Sequence, residues 1–276
     1  MQAITIQDFF TRYKDLKAKE KWKKIIKLGN KALKNDCNHI DSLTIHNILT
    51  TTSFYLSDID GALNYGNAAL KISESHTDVS ANESVRALYL LSAVYRAKND
   101  KDTANEYIQK ALIAIKDKNI SDHIRAKVFF NAGALQQDLY EKPQSALEFF
   151  DAAIRLFPQN HDDYIRTMIR IIKCIFTQNA KYLPLAESKL SEIESFIIPE
   201  TKTHVHFLQL KAKICIKSDN IEEAKESLNL GIKIAANKDM KQDYDRLNSL
   251  LYDIMILEYE KGYHRYTLPR TSVLMK

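Results

Sequence analysis

Three stretches of the chain, Ile59–Leu70 (IDGALNYGNAAL), Lys101–Leu112 (KDTANEYIQKAL) and Pro143–Ile154 (PQSALEFFDAAI), share one spacing of small and apolar residues. Each has Ala at its fourth position and a small–aliphatic pair at its end. These positions fall on one face of an α-helix. Two helices approach closely only where a small residue lies at their crossing, so the spacing predicts tightly packed helix pairs.

The spacing recurs along most of the chain. Its first small position recurs every 37 to 42 residues and is occupied, in order, by Ile25, Ala62, Ala104, Ala146, Ala186 and Ala224. Self-similarity at such a period indicates a repeat architecture. A generic helical bundle also contains small–aliphatic spacings, but a common register over several units favours repeats.

Each unit needs an upstream partner helix, and the third unit shows it most clearly. Leu88–Tyr95 (LYLLSAVY) precedes a turn at Asn99-Asp100, and Pro158 follows the second helix of the fourth unit. With the Ala spacing, this pattern resembles the tetratricopeptide repeat family over roughly Ile6 to Asn237. The family's period is about 34 residues; here it is nearer 40. Repeats of this length also occur in some bacterial signalling-peptide receptors.

The resemblance implies an all-α fold, a right-handed α-α superhelix of about six helix hairpins, with 1–276 forming a single domain. The expected repeats span 4–36, 40–75, 82–118, 122–158, 162–198 and 202–237. A capping helix over 240–261 and a tail over 262–276 would follow them.

Composition narrows the class of partner. The formal net charge is +5, from 40 basic and 35 acidic residues. This mild surplus, without a Lys/Arg run, predicts no nucleic-acid partner.

The 3 Cys are far apart, which predicts neither a disulfide framework nor a zinc motif and suits a reducing, cytoplasmic location. No apolar stretch is long enough to span a membrane, and Met1–Phe10 does not read as a secretory signal.

The sequence offers no recognisable catalytic or cofactor motif. Gly61–Gly66 has the glycine spacing of a phosphate loop but lacks the Lys-Ser/Thr that must follow. His204 and His206, two apart on a helix, point about 200° from one another and cannot share a metal. We therefore predict a non-enzymatic protein with no cofactor and no metal.

The first helix of each repeat lines the concave wall of such a solenoid, so its exposed side chains are the natural contacts for a protein or peptide. The candidates are Asn47, Phe54, Arg86, Tyr89, Arg96, Asn131, Arg166, Arg170 and Lys173.

One group of candidates is more specific. Arg166 and Arg170 are four apart on one helix face, and Asn131 precedes them by about one repeat. This resembles part of the carboxylate clamp of chaperone-binding tetratricopeptide domains, which implies an acidic or carboxylate-ended segment as ligand. The basic pair of a full clamp, two repeats earlier, is not clear.

Two functions follow from the resemblance. The first is a scaffold or adaptor that holds a peptide or protein segment in its groove. The alternative is a signalling-peptide sensor that couples peptide binding to a second protein partner.

The C-terminal helix carries two apolar stripes. The first (Tyr244, Leu247, Leu250, Leu251, Ile254) is suited to pack on the sixth repeat, and the second is Tyr252, Met255, Ile256 and Tyr259. We expect the tail 262–276 to cover the second stripe, with a homodimer through this helix, or a different protein, as the alternatives.

Overall fold

A computed structural model describes residues 5–35, 37–159, 161–238 and 240–260. About four-fifths of these residues are helical and none of them forms a strand, which confirms the all-α prediction. The helices are α1 (Ile6–Ala18), α2 (Trp22–Ala32), α3 (His39–Tyr55), α4 (Ile59–Ser75), α5 (Ala81–Ala97), α6 (Lys101–Ala114), α7 (Asp122–Asp138), α8 (Pro143–Ile154), α9 (Asp162–Gln178), α10 (Leu183–Glu194), α11 (Lys202–Lys217), α12 (Ile221–Asn237) and α13 (Lys241–Glu260).

A tight turn joins the two helices of most hairpins. In the third hairpin Asn99 adopts a left-handed backbone with φ 63°, and the Asp100 N–H donates to the carbonyl of Tyr95 at 3.0 Å. The Asp100 side chain then accepts from the Thr103 N–H at 3.1 Å and caps α6. The residues predicted as the turn thus end one helix and start the next.

Small residues lie where the paired helices cross. Ala62, Ala104, Ala146 and Ala224 are 0% exposed, which confirms the prediction that they are buried. Gly133 of α7 faces α8, and an added Cβ there would lie 2.7 Å from a ring carbon of Phe150. The crossings therefore have no room for a larger side chain.

The contacts divide the chain into two compact units, one ending at Arg170 and the other beginning at Ile171. In the first unit, α3 packs on α5 and α5 on α7, so the first helices of successive hairpins lie side by side. The second helices pack behind them, since α4 contacts α3 and α5, and α6 contacts α5 and α7. The unit thus has two helical layers, and the assignment of 1–276 to one domain stays a prediction.

In the second unit, α10 packs on α11, α11 on α12, and α12 on α13. Leu247 and Ile254 of α13 are fully buried, as expected of the first stripe. Tyr244 is 39% exposed, so its assignment to the buried stripe is wrong; it lies in the first turn, at the edge of the packed face. Tyr252 and Tyr259 of the second stripe are exposed. The tail 262–276 lies outside the described residues.

Within the described part of the chain, no helix combines the length and the hydropathy needed to cross a bilayer.

Candidate functional site

Two first helices that are far apart in the chain are joined by a side-chain hydrogen bond. The hydroxyl of Tyr55, at the end of α3, accepts a hydrogen bond of 2.7 Å from Arg166 of α9. These two residues belong to the second and fifth hairpins, with α5 and α7 between them in the layer. We call the side of this layer that carries Tyr55, Arg86, Arg96, Lys127 and Arg166 the inner face.

Aromatic rings surround the Arg166 guanidinium. It lies 5.7 Å from the ring centroid of Tyr55 and 5.7 Å from that of Phe130. Trp22 stacks on Tyr55, with ring centroids 4.7 Å apart. Rings at these distances attract a cation, so the Arg166 side chain has one well-defined position on the inner face.

The first acidic group on the inner face is Asp163, in the first turn of α9. Lys127 of α7 donates to its carboxylate, and Arg166 lies 3.8 Å away. Burial alone would raise the pKa of Asp163, but the charges of Lys127 and Arg166 outweigh burial and lower the pKa to about 2. The carboxylate is therefore ionised at neutral pH, and we call Lys127, Asp163 and Arg166 the Asp163 cluster.

The second acidic group is Asp138, which two arginines share. Arg96 of α5 donates to one of its carboxylate oxygens, and Arg170 of α9 donates to the other at 2.7 Å. Arg170 also donates to the side-chain oxygen of Gln137 at 2.8 Å. We call Arg96, Asp138 and Arg170 the Asp138 cluster; it joins α5, α7 and α9.

Arg96 is incompletely neutralised in the Asp138 cluster. Burial lowers its pKa, and the charge of Arg170 lowers it further, to about 10. Its Nε is buried and has no hydrogen-bond partner among the residues that the structure describes. A buried donor of this kind costs free energy until an acceptor reaches it.

The third acidic group, Glu83, lies near the start of α5. Asn47 of α3 donates through its side-chain nitrogen to the Glu83 carbonyl at 2.9 Å and to the Glu83 carboxylate at 2.8 Å. Arg86 donates to the other carboxylate oxygen at 3.3 Å. Within the described part of the chain, the buried Arg86 Nε and Asn47 side-chain oxygen have no hydrogen-bond partner. This group therefore also holds one donor and one acceptor that form no hydrogen bond there.

The charges on the inner face do not balance. Its cations number five and its carboxylates three, a surplus of two positive charges among the residues named here: Arg86, Arg96, Lys127, Arg166 and Arg170 against Glu83, Asp138 and Asp163. The five cationic side chains are only 13% to 26% exposed. Water screens such charges less than it screens surface charges, so the face attracts anions.

The structure brings some of the predicted contact residues together and leaves others apart. It joins Arg96 to Arg170 through Asp138, and Asn47 to Arg86 through Glu83. Phe54 and Lys173 are half-buried, and Lys173 belongs to the second unit.

Three of the predicted contact residues are not exposed. Asn47 is 0%, Tyr89 5% and Asn131 8% exposed, so the expectation that they present exposed side chains is wrong. Neighbouring first helices lie close enough to cover them. The side-chain nitrogen of Asn131 donates to the Lys127 carbonyl of its own helix at 2.8 Å. The carboxylate clamp of Asn131, Arg166 and Arg170 stays a prediction.

Sequence reasoning missed Tyr55, Lys127 and the carboxylates that organise the cations. One signal was available: Asn47 and Glu83 are 36 residues apart, as are Lys127 and Asp163, about one repeat. Polar pairs at the repeat spacing on first helices indicate contacts between neighbouring first helices.

Comparison with known proteins agrees with this architecture. The family model described as "Tetratricopeptide repeat" matches residues 85–112 and 205–238. The structure resembles that of the apo form of RapI, with a TM-score of 0.66 and 16% sequence identity over 94% of this chain and 92% of that one. A search of curated protein sequences gives no significant match.

Two further solved structures are similar. BtubC from P. vanneervenii has a TM-score of 0.56 and 12% identity over 93% of this chain and 96% of that one. PilF from Pseudomonas aeruginosa has a TM-score of 0.51 and 15% identity over 83% of this chain and 99% of that one. At identities this low, the structural similarity shows a shared fold alone.

Proposed function

The chain carries tetratricopeptide repeats, and from this premise we propose that the inner face of its first unit holds an acidic segment of a protein or peptide. The proposed role is a scaffold or adaptor that binds without catalysis. Stacked helical repeats present extended surfaces of first helices to their partners, which supports this assignment.

The observation that carries the proposal is the partly neutralised arginine pair of the Asp138 cluster. Two guanidinium groups share one carboxylate, and no described residue offers an acceptor to the Arg96 Nε. Guanidinium groups bind carboxylates through paired hydrogen bonds. A carboxylate from a partner would supply the missing negative charge.

Side chains near the cations suit a peptide better than a small ion. Tyr55 and Phe130 lie beside Arg166, and Trp22 stacks on Tyr55, so apolar surface lies next to the charge. Aromatic residues and Arg are the residues that most often dominate interface energies. The proposed ligand is therefore a segment with acidic and apolar side chains.

A sensor is the second candidate, and the Tyr55–Arg166 contact favours it. This hydrogen bond joins first helices of the second and fifth hairpins. A ligand carboxylate that takes Arg166 would compete with Tyr55, and its binding would change the contact between α3 and α9. A ligand that binds the two states unequally shifts their populations.

The test uses synthetic decapeptides rich in Asp, Glu and Leu, with free or amidated C-termini, and fluorescence anisotropy on the full chain. We expect binding that weakens with salt and is lost in the double variant Arg166→Gln plus Arg170→Gln. The matched control is Lys110→Gln on α6, whose 53% exposed side chain lies on a second helix.

Three results would overturn the assignment. They are equal binding by wild type and the double variant, equal loss in the control, and no binding of any acidic peptide. A preference for free over amidated C-termini would support the carboxylate clamp in particular.

A further inference from the structure

A group of metal-binding side chains lies at the open end of the second hairpin, away from the inner-face clusters. His39 is the first residue of α3, His76 is the residue that ends α4, and Asp78 follows two positions later. A ring nitrogen of each histidine and a carboxylate oxygen of Asp78 lie within 4.8 Å of one another. We call these three residues the His39 corner.

The contacts in the His39 corner are close to those of a coordinated ion. The Nε2 of His39 lies 3.0 and 2.9 Å from the two carboxylate oxygens of Asp78. Around a tetrahedral zinc ion with bonds of about 2.1 Å, two donors lie about 3.4 Å apart. His39 and Asp78 therefore need to separate by only a few tenths of an ångström to admit the ion.

The second histidine requires a larger change. The rings of His39 and His76 are stacked, with centroids 4.1 Å apart and planes 11° from parallel. Parallel rings do not direct their nitrogens at one point, so the His76 ring must turn out of the stack. This is a side-chain rotation and leaves α3 and α4 in place.

The surroundings of the His39 corner suit a cation. The carbonyl end of α4, which carries the negative end of the helix dipole, lies at His76.

The same arrangement recurs at a second corner, which serves as a comparison. His123, His161 and Asp163 are spaced as are His39, His76 and Asp78, to within one residue. There the rings of the two histidines meet edge to face, at 5.8 Å and 76°. Lys127 donates to Asp163, so a divalent ion at that corner would face an ammonium group.

We propose that the His39 corner binds Zn²⁺ through His39, His76 and Asp78. Imidazole and carboxylate donors suit this ion, and three protein ligands leave one position for water. Because α3 starts and α4 ends at this corner, the ion would join the two helices of the hairpin. Zinc would therefore stabilise the first unit.

The test is calorimetric titration of the chelator-treated full chain with zinc chloride, together with thermal unfolding at rising zinc concentration. We expect one equivalent to bind with a zinc-dependent rise in Tm, and both effects to be lost in His39→Gln and in His76→Gln. Asp78→Asn keeps the side-chain shape and should weaken binding. Circular dichroism checks that each variant is folded.

His123→Gln and His161→Gln are the matched controls, and we expect both to bind zinc as wild type does. The proposal fails if His39→Gln and His76→Gln, while folded, keep the full titration. It fails equally if the controls lose as much binding as the corner variants, since the zinc would then be bound elsewhere. The peptide-binding proposal is independent of either result.

Discussion

Charged pairs differ in exposure between the two layers of the first unit, the inner layer of first helices and the outer layer of second helices. On α6, in the outer layer, Lys110 and Glu106 pair at 2.6 Å while 53% and 61% exposed. On the inner face, Arg96 and Asp138 are 13% and 23% exposed. Exposed pairs contribute little because water screens them, whereas removing one partner of a largely buried pair leaves a charge that water solvates only in part. The inner charges are thus the ones that couple helices to one another and to a ligand.

The largest effect is expected at Asp163. Replacing Asp163 by Ala leaves Lys127 and Arg166 without their shared carboxylate. We expect a loss of about 3 kcal/mol in the free energy of unfolding, the lower end for a broken buried pair, because the three side chains keep 12% to 26% exposure. Urea denaturation at pH 7 measures it.

The pH dependence of this loss provides its control. The pKa of Asp163 is lowered to about 2 in the folded state, while an unfolded Asp titrates near 3.9. Its stabilisation is therefore complete above about pH 4 and is lost as the pH falls toward 2. Wild type and Asp163→Ala should converge in stability over this range. A constant difference down to pH 2 would show that the loss does not come from the carboxylate charge.

The next effect concerns the packing between the two layers. Ala104 is fully buried in α6, and the Ser92 hydroxyl of α5 donates to its carbonyl at 2.8 Å. Ala104→Leu forces a larger side chain into this crossing and should cost about 1–3 kcal/mol. Ala97→Leu, at an exposed position, is the control. A neutral Ala104→Leu in thermal unfolding would mean that the crossing can relax.

These small residues are also what made the fold predictable. Ala62, Ala104 and Ala146 recur because every hairpin needs a close crossing. The sequence of each unit therefore shows the packing constraint by itself. The site is different. Asp138 meets Arg96 from 42 residues before and Arg170 from 32 residues after. Only the packing of three first helices brings these residues together.

The exposure predictions failed because they too depend on how neighbouring first helices pack. Asn47 and Asn131 lie on the expected helices, but their polar groups bond to the next first helix or to their own. Sequence periodicity identifies a helix face; it does not show how closely the neighbouring helix covers that face. Tyr55 was missed because no pattern within one repeat links it to Arg166, 111 residues away.

A smaller effect is expected at Tyr55. Tyr55→Phe removes the hydroxyl that accepts from Arg166 and keeps the ring beside the guanidinium. We expect a loss of about 1 kcal/mol in stability and tighter binding of acidic peptides, because Arg166 is released. Anisotropy titration measures the second effect; weaker peptide binding in this variant would argue against competition between Tyr55 and the ligand.

The smallest effect is expected in the outer layer. Glu106→Gln breaks the exposed pair with Lys110 and should change the free energy of unfolding by less than about 0.5 kcal/mol. Chemical denaturation of this variant beside Asp163→Ala compares the two layers directly. A loss as large as that of Asp163→Ala would remove the distinction between them.

The central claim is that the inner face of the first unit binds an anionic peptide segment through its partly neutralised arginines. NMR of the arginine Nε–Hε groups, recorded while an acidic decapeptide is added to the full chain, observes those atoms directly. The account predicts that the Arg96, Arg166 and Arg170 signals move, since a ligand carboxylate adds negative charge beside their guanidinium groups. The signal of Arg155, the C-cap residue of α8, should stay unchanged. Binding that leaves Arg96, Arg166 and Arg170 unmoved would contradict it.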